Sequence, residues 1–127
     1  QCHKLYGEGG EIGPDITGSN RNNLDYLLQN ILDPNADIPN DYRTTILRLK
    51  DKRVLVGVIR QSEGQSVTLA TVSGSVTVAK SDVAAIDPQN FSMMPEGLVL
   101  AFKERELRDL ISYLRAGTQV PLPKKED

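Results

Sequence analysis

The sequence predicts one α+β domain over residues 1–127, with two short helices flanking a block of five strands. Two changes of period carry that reading. Leucines recur at helical spacing around residues 24–31 and 107–114, and between Tyr42 and Asp87 they give way to short runs rich in β-branched residues. A third observation sits at the start, "QCHKLYGEGGEIGPDITG", where the only cysteine and the only histidine stand side by side before a glycine-rich stretch.

The elements follow in order. Residues 1–19 read as loop or as the end of a helix that begins upstream, punctuated by Gly7, Gly9, Gly10 and Gly13-Pro14. Leu24, Leu27, Leu28 and Ile31 form one helical face, with Asn20 as a cap and Asp33-Pro34 as the stop. Residues 34–41 are loop. "YRTTILRLK", "RVLVGVIRQ", "SVTLATV", "SVTVAK" and "VAAID" then read as strands. Asp51-Lys52, Glu63-Gly64, Ser73-Gly74 and Ser81-Asp82 separate them at hairpin-like spacing, which suggests a small barrel or curled sheet over residues 42–87. Residues 87–97 return to loop. Leu107, Leu110, Ile111 and Leu114 mark a last helix over about 103–116, with Gly117 where a C-terminal cap belongs.

Composition narrows the function classes. The net charge is −2, so no general polyanion binder is marked, and the strand block has basic residues but almost no aromatics on which bases could stack. No nucleic-acid partner is expected, and no apolar run is long enough to span a membrane. Only 5% of the residues are aromatic, so a large bound group could help fill the core.

Cys2-His3 is the second half of the Cys-x-x-Cys-His signature that attaches c-type haem; the first cysteine would lie before Gln1. The pattern of Cys-His, glycine-rich loop and Gly13-Pro14 resembles cytochromes c, as do "SMMPEGL" and "RELRDLISYL". Over nearly all its length the chain resembles the haem-binding domain of planctomycete and verrucomicrobial proteins. The stretches that carry this are "GPDITG", "YLLQNILDPNADIPNDYR", "LVGVI" and "SMMPEGL…RDLISYL". The resemblance implies a class I cytochrome c-like helical haem fold, interrupted by the five-stranded β insertion.

The resemblance also implies roles. Cys2 would form a thioether with a haem vinyl group, His3 would be the proximal iron ligand, and the Pro14 carbonyl would accept the His3 Nδ1–H. Ile16 would touch the haem edge, and Arg21 and Arg43 are candidates for its propionates. With no second histidine, the options within the chain for a sixth ligand are a methionine, favoured, or a lysine or tyrosine; of the methionines Met94, directly before Pro95, is preferred over Met93, as the resemblance to the Met-Pro of cytochromes c also implies. The expected cofactor is haem c with its iron. The expected function is electron transfer, not enzymatic catalysis, with electrons taken from a redox partner or a fused dehydrogenase domain in the periplasm or another extracytoplasmic space. The strand block is expected to be separable from haem ligation. The alternative is a non-redox binding module using an Sm-like or SH3-like barrel without haem; a haem sensor is a third reading.

Overall fold

The computed structural model describes residues 1–124. It opens with a two-stranded ribbon, β1 (Lys4–Leu5) and β2 (Glu8–Gly9), followed by helix α1 (Leu24–Leu32). Five strands come next: β3 (Arg43–Leu49), β4 (Val54–Gln61), β5 (Ser66–Thr71), β6 (Gly74–Ala79) and β7 (Val83–Ser92). Helix α2 (Glu104–Arg115) is the last regular element among the described residues.

The strands form one antiparallel sheet in the order β6-β5-β4-β3-β7. β3 to β6 are successive hairpins, and β7 returns to pair with β3, Leu47 opposite Ile86 and Arg48 opposite Ala85. The edges β6 and β7 are joined only by a 3₁₀ turn, Lys80–Asp82. Four strand spacings in a flat sheet would separate those edges by about 19 Å. Four Cα steps span at most about 14 Å. The sheet must therefore curl to bring its edges together. Its concave side holds the core, Leu47, Leu49, Val67 and Leu69, with Leu55, Ile59, Val78 and Val83 packed against it.

This architecture overturns the expected class I cytochrome c-like helical fold. The chain is mostly antiparallel sheet, and its two α-helices are short, nine and twelve residues. The physical reason lies in where apolar surface is buried. The largest fully buried side chains, Leu47, Leu69, Val58, Val67 and Thr44, all belong to strands, whereas α2 buries no residue completely. α1 packs on the 3₁₀ turn Leu98–Ala101 rather than along α2.

Element boundaries differ from the sequence reading in three places. Asn23, not Asn20, caps α1, its side chain accepting from the Tyr26 N–H at 3.1 Å. β7 continues through Pro88 to Ser92, where a loop is expected; as an edge strand it tolerates the missing N–H. α2 ends at Arg115 with Ala116 as its cap, and Gly117 is not left-handed, because the terminal carbonyls are taken by side chains from far upstream. No helix among the described residues is long and apolar enough to cross a membrane.

Candidate functional site

The site is built on the first eighteen residues. β1 and β2 are joined by Tyr6 and Gly7, both at positive φ, +51° and +84°, as a two-residue turn with the right twist for a hairpin requires. Beyond β2 the chain folds back over its own start. The Gly13 N–H donates to the Cys2 carbonyl at 2.7 Å, and the Ile16 N–H donates to the Lys4 carbonyl at 2.9 Å.

This return brings Gly13 flat against the histidine. A Cβ at Gly13 would lie 2.7 Å from His3 Cε1 and 2.8 Å from Nδ1, so only glycine leaves room for the ring. The next residue supplies the ring's partner: His3 Nδ1–H donates to the Pro14 carbonyl at 2.8 Å. A carbonyl can only accept, so the proton sits on Nδ1, and in the neutral ring Nε2 keeps its lone pair. Nε2 has no hydrogen-bond partner among the described residues. Cys2 beside it is a free, exposed thiol.

Ile16 is half-buried in the same cluster, its carbonyl accepting from Arg21 Nε at 2.9 Å and from Ser19 Oγ at 2.8 Å. Arg21 is buried, and its role differs from the one the sequence suggests. Its five donors meet the carbonyls of Ile16, Thr17, Leu114 and Ala116 and the Tyr6 hydroxyl. None is left for a propionate. Arg21 instead fastens the start of the chain to the C-terminus of α2, where unpaired helix carbonyls and the negative end of the dipole favour a cation. Arg43 donates through Nε to Asn40 at 3.1 Å and through Nη1 to Asn90 at 2.9 Å.

Met94 belongs to a second cluster. Its N–H donates to Ser92 Oγ at 3.0 Å, and the Ser92 N–H donates to Asn35 Oδ1 at 2.8 Å. Asn35 also donates to Glu96 across the same loop at 2.8 Å. Met93 and Met94 are both half-buried. The structure thus joins Cys2, His3, Pro14, Ile16 and Arg21 directly, while Met94 stands on a loop fastened to Asn35.

Around these clusters apolar surface remains uncovered. Leu107, Leu110, Ile111 and Leu114 are only half-buried, and Leu98, Leu100 and Phe102 are 43, 87 and 45% exposed. Sequence reasoning missed Tyr6, Asn35 and Arg60 as residues that hold the site. Arg60, at the end of a strand, donates to the carbonyls of Glu11 and Ile12. Their signal is weak in one dimension, because each acts on a segment dozens of residues away.

Lys4 on β1 and Glu11 in the loop after β2 form an exposed ion pair. The hydrogen bond from Lys4 lowers the Glu11 pKa below the ordinary carboxylate range, and that pairing weakens as acid protonates Glu11. No protein-family model matches the chain, and no curated protein matches it.

Proposed function

We propose that this protein is a c-type haem-binding electron-transfer domain in which His3 presents Nε2 to the iron. The observation that carries this reading is the His3 Nδ1–H to Pro14 carbonyl bond at 2.8 Å, directly after an exposed cysteine. That bond fixes the ring's orientation, raises its basicity and leaves the other nitrogen available, which is what a metal-ligating histidine requires. The residues that fit a haem are the exposed thiol of Cys2 beside the oriented ring of His3. A planar macrocycle would supply four of the iron's ligands and leave two axial positions for the chain, of which His3 Nε2 would take one.

When bound, haem supplies reversible one-electron chemistry. Cys2, a free and exposed thiol next to His3, would form the thioether. Pro14 holds the proton on Nδ1. The half-exposed leucines of α2 offer apolar surface that a flat hydrophobic group would cover. Met94 is the proposed sixth ligand, because Pro95 restricts it to extended backbone and Ser92 and Asn35 tie down its loop. Electron exchange with a dehydrogenase partner or fused domain outside the cytoplasm completes the reading.

Visible spectroscopy tests it. Protein produced with a c-type maturation system should carry one haem, with a low-spin ferrous spectrum. With Cys2 as the sole thiol, the pyridine haemochrome α-band should fall between those of b-type and doubly linked haem. Haem that acid-acetone strips freely would refute attachment through Cys2, and a chain that takes up no haem would leave the binding module as the better reading. Met94→Ala should remove the sulfur-to-ferric-iron band and admit CO or imidazole, whereas Met93→Ala should do little. The reverse pattern would move the ligand to Met93.

A further inference from the structure

We propose that Arg60 is a positioning residue for His3, acting through the loop that presents the Pro14 carbonyl. The inference rests on His3 serving as a ligand through Nε2. Its first support is direct: Arg60 Nη2 donates to the carbonyls of Glu11 and Ile12, the residues that lead into Gly13 and Pro14. The second is the strand itself. β4 pairs Ile59 with Leu69 and Gln61 with Thr68, so Arg60 is the extra residue of a β-bulge. A bulge interrupts alternation and re-aims one side chain, and here the re-aimed side chain reaches the ligand loop. The third is a fixed seat for the cation. The guanidinium lies 4.7 Å from the centroid of the Tyr42 ring, a cation–π distance.

The loop needs such a support. Glycines at 9, 10 and 13 let it pass close to residues 1–3, but they give it no side chains with which to stiffen itself. The exposed Lys4–Glu11 pair adds little restraint. Arg60 adds charge-assisted bonds to two successive carbonyls and sets the distance between Pro14 and the His3 ring. The β block is therefore part of the ligand's scaffold. Replacing residues 44–84 by a linker would remove the strap, contrary to the separability expected from the sequence.

The haem-free full chain gives a clean test, because His3 is the only histidine and its ring signals are unambiguous. In two-dimensional ¹H–¹⁵N NMR at neutral pH the wild type should show the Nδ1–H tautomer, with slow exchange of that proton. Arg60→Met keeps the apolar stem over Tyr42 and removes the donors. It should move His3 toward the Nε2–H tautomer and speed Nδ1–H exchange at least tenfold, with the sheet amides undisturbed. Arg60→Lys keeps the charge but loses the fork, and should exchange at an intermediate rate. In the haem-loaded protein the same variants should raise the reduction potential in the same order, because a weaker hydrogen bond makes the imidazole a poorer donor to ferric iron. Unchanged tautomer and exchange in Arg60→Met would overturn the inference; should that variant not fold, wild-type exchange in Arg60→Lys would overturn it. A wild type lacking the Nδ1–H tautomer would instead remove the basis for His3 as a positioned ligand.

Discussion

His3→Ala should abolish the low-spin haem spectrum while leaving the protein folded. The ring is half-buried and makes one hydrogen bond, to Pro14, so its loss costs the fold only about 1 kcal/mol. The sheet core is untouched, since Leu47, Val67 and Leu69 are fully buried in strands distant in sequence from His3. A haem iron held as proposed would, in contrast, lose its only imidazole, for the sequence has a single histidine. A haem still tethered through Cys2 should turn high-spin and bind added imidazole, which restores the low-spin bands. An unchanged Soret and α/β pattern in His3→Ala would sink the assignment.

Arg21→Ala should give the largest loss of stability, about 3 kcal/mol or more, read as a lower urea midpoint. Arg21 is 8% exposed, and no carboxylate among the described residues accepts from it. It is neutralised by carbonyl dipoles, two of them at the end of α2, and by the face of Tyr6 at 5.1 Å. Truncation takes a charged donor from each of those carbonyls, leaves the Tyr6 hydroxyl as the remaining tie to Ala116, and loosens the helix from residues 16–21. Native-state hydrogen exchange should accelerate in α2 more than in β3–β5. Arg21→Lys should rescue little, because one ammonium cannot serve five acceptors spread around a planar fork. A loss below about 1 kcal/mol would show that water replaces the guanidinium without penalty.

The parts of this structure that were legible in the sequence are those governed by local period and local chemistry. Alternating Val and Leu located β3 to β6, and the leucine stripe located α2. The pairing of His3 with Pro14 was expected from the resemblance, and the hydrogen bond is present. The fold class was not legible in the same way. The resemblance to cytochromes c implies a helical body, but the two apolar stripes are too short to build one, and the strands bury the larger side chains. Arg21 and Arg60 were misread or passed over for a different reason. Their partners lie up to 95 and 49 residues away, and periodicity carries no information at that range.

The clamp joining the two ends of the chain also dictates an order of assembly. Tyr6 OH donates to the Ala116 carbonyl across 110 residues, and Arg21 reaches Leu114 across 93. Closing loops of that size carries a high entropic cost until the intervening sheet has already drawn the ends together. During synthesis the Cys2-His3 segment emerges before the helix that locks it. Its contacts to Gly13 and Pro14 are local and need no helix, whereas the clamp through Tyr6 and Arg21 closes only when the last turn of α2 has been made. The contacts that tie this segment to α2 are thus among the last of the fold to form.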